Sequence, residues 1–206
     1  MTGAGLQFGP DQVVRRLKRM PPKEPAVRGD HDLNPGMEPG ADLTPAAVLV
    51  PLVDRPEGLT ALFTQRTENL LHHAGQISFP GGHMDPGDAT PEETALRETE
   101  EETGLHRRHV EIVGRLSEYI TRTGFSVTPV VGLVHPPFEL NPDPDEVADV
   151  FEVPLAFLLD PANHHRHSRQ FEGRDRHFYA MPYEDHFIWG ATAGMLINLY
   201  EVLSGP

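Results

Sequence analysis

The residues in this chain best suited to chemistry are Arg97-Glu98-Thr99-Glu100-Glu101-Glu102-Thr103-Gly104-Leu105, with Gly81-Gly82 upstream. Thr90-Pro91-Glu92-Glu93 has the composition of a helix start: a threonine cap, a proline at the first helical position and a glutamate three residues after the cap. Gly104 has the composition of a stop. Glu98 lies three residues from Glu101 and four from Glu102, so the three carboxylates fall within an arc of about 100° on one face. Like charges at these spacings cost about 0.2–0.5 kcal/mol per pair in an isolated helix. A local rule broken without visible compensation marks a functional site, and the natural compensation here is a hard divalent cation, which takes oxygen ligands. The competing reading is a solvated acidic helix face. The same geometry sends Glu100 to solvent, places Leu96, Thr99 and Thr103 on the inward side, and lets Arg97 brace Glu101 with a salt bridge four residues on.

The upstream loop is Phe79-Pro80-Gly81-Gly82-His83-Met84-Asp85-Pro86-Gly87-Asp88. Adjacent glycines let the backbone approach a ligand closely. A main-chain carbonyl there, that of Gly82, can complete the shell of a metal held by the helix, and Asp85 and Asp88 add acidity. Read alone, the loop is also an ordinary Pro/Gly turn joining a strand to a helix.

Together, loop and helix resemble the signature of the Nudix hydrolases: a glycine, a downstream glutamate, then Arg-Glu-apolar-any-Glu-Glu-any-Gly-apolar. The helical half matches at Arg97, Glu98, Glu101, Glu102, Gly104 and Leu105, with Thr99 at the apolar position. The loop half departs from the pattern. Asp88 stands where the family usually has glutamate, and one extra residue separates it from Arg97. The stretch from Leu62 through Arg66 to Leu70, continuing from His72-His73 to Gly82, is similar to the segment that marks the coenzyme A pyrophosphatase subgroup. Thr94-Ala95-Leu96-Arg97-Glu98, Asp145-Glu146-Val147, Val150 to Leu155 and Ile188 to Ala193 resemble the same subgroup. The resemblance spans residues 44 to 203.

It implies an α/β/α sandwich around a mixed sheet and a metal-dependent pyrophosphohydrolase. Glu98, Glu101 and Glu102 would hold Mg2+ or Mn2+ together with the Gly82 carbonyl, and Arg97 would orient Glu101. Arg66, His73 and Gly81 would meet the substrate. Glu98 or Glu101 can serve as general base, and so can a loop acid such as Glu172 or Glu184. The implied substrate is coenzyme A or a derivative, cut to 4′-phosphopantetheine and adenosine 3′,5′-bisphosphate. Two alternatives stand beside it. One is another nucleoside diphosphate derivative, ADP-ribose or a dinucleoside polyphosphate. The other is a Nudix-like binding module without catalysis, which would be expected to lose the carboxylates this chain keeps.

Composition frames these readings. A chain of 206 residues with 38% hydrophobic and 23% charged side chains fits a globular fold with a full-sized core. No apolar run reaches membrane-spanning length, and no charged-then-apolar leader opens the sequence. The absence of cysteine removes disulfides, thiol catalysis and cysteine-based zinc sites, and is compatible with a cytoplasmic location. A net charge of −14 argues against nucleic acid as a partner. An anionic diphosphate is compatible with such a surface only if bound cations reverse the local sign.

The elements that must position these residues are legible in outline. Asp11 to Met20 reads as a short basic helix with a stripe of Val13, Val14 and Leu17. It packs on the domain or on a second subunit, which leaves a homodimer open. Pro21 to Pro45, with six prolines and three glycines, reads as a linker or wrapping arm. This divides the chain into residues 1–45 and a Nudix domain from 46 to 206. Strands are expected at Ala46–Val53, Leu59–Arg66, Ile77–Phe79, Val110–Ile120, Ser126–Val134 and His177–Pro182. A helical turn is expected at Pro154–Leu159 and a closing helix at Ala191–Leu203. His164, His165 and His167 read as a solvated polar loop rather than a metal site. Trp189, the one tryptophan, reads as core rather than as a platform for a base.

Overall fold

The computed structural model describes residues 8–19, 28–37, 40, 42–69, 74–171 and 173–205. In chain order its elements are α1 (Pro10–Arg19), β1 (Arg28–Gly29), β2 (Thr44–Arg55), β3 (Gly58–Arg66), β4 (Ile77–Ser78), β5 (Gly81–His83), α2 (Pro91–Thr103), β6 (Val110–Arg115), β7 (Tyr119–Ile120), β8 (Phe125–Val134), β9 (Val147–Pro154), α3 (Leu155–Leu158), β10 (His165–Phe171), β11 (Arg174–Tyr183), β12 (His186–Trp189) and α4 (Ala191–Ser204).

The apolar run of β2 forms the spine. Side chains alternate across a strand, and a strand buried on both faces reads as a continuous apolar stretch. Ala46, Val50 and Leu52 join the larger core, which α1 and α4 cover. Ala47, Leu49 and Val53 face the other way, toward Ala95 of α2 and toward Leu105. The result is an α/β/α sandwich around a mixed sheet. β2 runs parallel to β8 and antiparallel to β3, β8 takes β6 and β7 on its far side, and β9 closes against β3. On its other edge β2 pairs first with β5, through Ala46 to Val48, and then with β3, from Leu52 onward. Pro51 falls in the gap between these pairings, where its missing N–H goes unused. That switch of partner brings Gly81 and Gly82 onto the middle of the sheet.

A second sheet, β10–β11–β12, is a three-stranded antiparallel meander. The stretch expected as a polar loop is therefore a strand in part: His165 and His167 lie on β10, and His164 Nε2 lies 2.8 Å from the Leu158 carbonyl. β9 and β12 were not expected as strands at all, and Val110–Ile120 breaks into β6 and β7 around Leu116–Glu118. The proline-rich arm is not purely a linker. Arg28 and Gly29 pair with Tyr119 and Ile120, and the buried Asn34 side chain bonds both the N–H and the carbonyl of His177, at 2.9 and 3.0 Å. α1 lies on the domain, with Val13 and Leu17 buried. Among the described residues, no helix is long and apolar enough to cross a membrane.

Candidate active site

α2 begins and ends where its caps dictate. Thr90 Oγ1 accepts the Glu93 N–H at 3.3 Å, Pro91 opens the helix, and Gly104 closes it in the left-handed conformation. Its inward stripe is Ala95, Thr99, Glu102 and Thr103. The buried threonines need no outside partner, because Thr99 donates to the Ala95 carbonyl and Thr103 to that of Thr99, each at 2.6 Å. The expected inward stripe is thus corrected at one position: Leu96 is only half-buried, since the helix is rolled so that Glu102, not Leu96, points at the sheet. Glu100 is not free in solvent either. It accepts the Arg107 N–H at 2.8 Å and pairs with that guanidinium.

The roll grades the three carboxylates from inside to outside. The side chain of Glu102 is 6% exposed, that of Glu98 19% and that of Glu101 61%. Arg97 ties the outer two together. Its Nη1 donates to Glu98 at 2.8 Å and to Glu101 at 3.0 Å. Its other edge is held by Asp88, which accepts from Nε at 3.2 Å and Nη2 at 2.8 Å, while Nη2 also reaches the His83 carbonyl at 3.2 Å. Asp88 itself receives the Thr94 hydroxyl at 2.9 Å, and the Arg97 guanidinium holds its carboxyl well below the usual carboxylate range. Asp88 therefore fixes the arginine that fixes the carboxylates, a role its departure from the family spacing had concealed.

The diglycine strand lies against this set. Gly81 has φ +152, a conformation glycine adopts freely, and a Cβ there would sit 2.4 Å from the Ala47 carbonyl oxygen. Its N–H donates to Glu102 at 3.2 Å. A Cβ on Gly82 would fall 2.5–2.6 Å from the Glu98 carboxylate, so glycine is required for that carboxylate to touch the backbone. Burial pushes the Glu102 carboxyl up to about 8, against the Gly81 N–H and the Arg66 charge, which favour ionisation, and burial also raises Glu98. The charge of Glu146, in the segment before β9, adds to the repulsion on both. Glu146 figures in the sequence only within the Asp145-Glu146-Val147 resemblance, with no site role, because nothing local ties it to a helix 44 positions upstream. Among the described residues no three acidic or imidazole groups already converge as a metal cage. The donor set nevertheless fits a hard divalent cation: all-oxygen, anionic, partly desolvated and short of positive charge.

This gives a pH prediction. The folded-state pKa of Glu102 is raised above its ordinary 4.5, so between those limits the folded chain binds more protons than the unfolded one. Its stabilising contribution is complete below about pH 4.5 and declines as pH rises toward about 8. Glu98 acts in the same direction. The chelated protein is expected to lose thermal stability from about pH 5 to about pH 8, and Mn2+ to restore most at the upper end. Scanning calorimetry checks both. A Glu102→Gln chain with the same decline would refute the assignment.

Beside the carboxylates lies an open cleft of about 230 Å3 walled by Arg66, Gly81, Gly82, His83, Phe125 and Trp189, with Thr192 and Met195 of α4 on its floor. Arg66 stands 3.7 Å from Glu102, and its buried Nε has no hydrogen-bond acceptor among the described residues. Trp189 is half-buried in the cleft wall against the edge of Phe178, 5.3 Å away, not in the core as expected. Glu184 sits exposed at the β11–β12 turn. His72, His73 and Glu172 lie outside the described residues.

A mixed-sheet sandwich that presents an acidic helix to a diglycine strand is a fold and site suited to hold a hard cation beside a cleft. The family model described as NUDIX domain matches residues 43–173. A protein of Klebsiella pneumoniae described as the uncharacterized Nudix hydrolase NudL is 44% identical over 155 residues, covering 75% of this chain and 80% of its own length. One of the same description from Photorhabdus laumondii is 41% identical over 156 residues, covering 76% and 83%. The crystal structure of DR0079 from Deinococcus radiodurans superposes with a TM-score of 0.51 at 14% identity, covering 80% of this chain and 89% of that one, which speaks to the fold alone. The chain belongs to the Nudix hydrolase family.

Proposed function

We propose that the protein hydrolyses the diphosphate bond of coenzyme A or a derivative, releasing 4′-phosphopantetheine and adenosine 3′,5′-bisphosphate. The observation that carries the chemistry is the pair Glu98 and Glu102, held against Gly82 and Gly81, with burial pushing both carboxyls up despite Arg97 and Arg66 beside them. The substrate assignment draws on the likeness of Leu62–Gly82 and of the later segments to the coenzyme A subgroup, and on a cleft that adjoins the diglycine.

In this reading Glu98, Glu101 and Glu102 would hold Mg2+ or Mn2+ with the Gly82 carbonyl, and Glu146 would add charge to the set. A cation bound there would neutralise the diphosphate and lower the pKa of an attacking water. Arg97, locked by Asp88, holds Glu98 and Glu101 in register for a metal. Arg66 has guanidinium capacity left for a phosphate oxygen, and the Gly81 backbone allows the substrate close approach. A carboxylate would take the proton of the water, either Glu98 or Glu101 or a loop acid such as Glu172 or Glu184.

The test is product analysis with coenzyme A and ADP-ribose side by side, in Mg2+, Mn2+ or chelator. Metal-dependent appearance of adenosine 3′,5′-bisphosphate is the expected result. Turnover of ADP-ribose alone would replace the substrate and keep the chemistry. No metal-dependent turnover of either would overturn both.

A further inference from the structure

Apart from Trp189 in the cleft wall, the outer face of the β10–β11–β12 sheet has no role in the site described above, yet it is unusual for this chain. Residues directly opposite in an antiparallel pair share a face. The register pairs His167 with Phe178, Arg169 with Arg176 and Ala180 with Trp189, which sets these side chains on one side of the sheet. Ring contacts agree: His167 stacks on Phe178 at 5.9 Å and meets Phe187 edge-on at 5.9 Å, and Phe178 meets Trp189 at 5.3 Å. The opposite face is buried at Met181 and Ile188. On the aromatic face Ala180 is buried beside Trp189, Phe178 and Arg176 are half-buried, and His167, Arg169 and Phe187 are exposed, Phe187 to 44%, so this face opens to solvent away from the Ala180 end.

Charge makes this face more than a stray apolar patch. Arg169 and Arg176 stand directly opposite one another, and like charges in that position are destabilising. Neither has an ion-pair partner among the described residues, and the buried Nε of Arg176 has no acceptor there. A chain of net charge −14 thus sets two facing, unneutralised guanidinium groups beside a row of rings. Aromatic faces take nucleobases and paired arginines take phosphate.

The face is also continuous with the cleft. Trp189 belongs to both. At the far end of the hairpin Phe171 lies under Arg122, 4.2 Å from the ring centroid, and Arg122 is flanked by Thr121 and Thr123 of the cleft wall.

We infer that this face is the subsite for the phosphorylated nucleoside end of the substrate. The base lies on Trp189 and Phe178, and a phosphomonoester remote from the scissile bond is met by Arg169 and Arg176. The inference rests on the coenzyme A reading, whose nucleoside carries such a phosphate, and it makes that phosphate a specificity determinant.

Titration calorimetry of the full chain in Mg2+ tests it, with adenosine 3′,5′-bisphosphate and adenosine 5′-monophosphate as probes. The wild type is expected to bind the bisphosphate about tenfold more tightly. The double variant Arg169→Gln/Arg176→Gln should bind the two alike, its retained monophosphate affinity showing that it is folded. Trp189→Leu should weaken both probes equally. Equal wild-type affinities, a preference that survives in the double variant, or a single-stranded oligonucleotide that competes as well as the bisphosphate would each overturn the subsite. Coenzyme A turnover without the preference defeats the subsite alone. The preference without coenzyme A turnover defeats the substrate assignment alone.

Discussion

Glu102→Gln is expected to lower metal-dependent turnover by about 10²–10³-fold while leaving the fold intact. The substitution keeps the shape of the side chain, and a glutamine carbonyl can still accept the Gly81 N–H that Glu102 accepts at 3.2 Å. What disappears is one negative charge at the most buried of the three carboxylates. Losing it removes a desolvation cost that the metal-free fold bears, because burial drives the Glu102 carboxyl up to about 8. The variant should therefore match or exceed the wild type in thermal stability in chelator, and gain less stability from added Mn2+. Activity and stability moving in opposite directions is the signature of a functional group rather than a structural one. Turnover within a few-fold of wild type would remove Glu102 from the metal set. Loss of activity together with loss of stability would show that its role is to hold Gly81.

How much of this site could be read in the sequence depends on how local each contact is. The Thr90 cap, Pro91, the Gly104 stop and the Arg97–Glu101 bridge at 3.0 Å are contacts within one helix, and spacing alone gives them. The roll of the helix is not local. Leu96 has the apolar side chain, but the threonines can be buried because their hydroxyls bond back to the helix, and Glu102 turns inward because Gly81 and Arg66 are there to meet it. Glu146 and the clamp of Asp88 on Arg97 both depend on the fold bringing separate segments together.

The same division runs through the fold. β2 and β8 carry apolar runs and are evident as strands. β9 carries Asp149 and Glu152 among its apolar residues and shows no clean period. It becomes a strand by pairing with β3, and Glu152 is satisfied there by Arg55 at 2.5 Å and by the Thr60 hydroxyl. β10 is exposed along its whole length and exists because β11 offers it a ladder. An exposed strand without an apolar face gives no periodic signal, and that is also why a candidate substrate surface could pass for a histidine loop.

Phe63→Ala is expected to cost about 3–5 kcal/mol of folding stability. Phe63 is fully buried and sits in the middle of a column of rings. Phe79 stacks on one side at 4.9 Å and 22°, Phe151 on the other at 5.6 Å and 25°, and His186 continues beyond Phe151 at 3.6 Å and 14°. Truncation forfeits the burial of an aromatic ring, opens a cavity that backbone on both sides keeps from collapsing, and removes two ring contacts at once. The column also links the site's parts. Phe79 leads directly into Pro80-Gly81-Gly82, and His186 belongs to the hairpin that carries Trp189 into the cleft. Beyond the stability loss, the folded fraction of the variant should show reduced turnover, since the diglycine strand is no longer pinned from below. Phe63→Leu loses the same ring contacts but fills more of the cavity, so it should cost less stability than Phe63→Ala, with activity nearer wild type. Denaturant titrations of the two variants at a common m-value decide the first claim. If Phe63→Ala lost stability but turned over normally per folded molecule, the column would be core packing with no part in positioning Gly82.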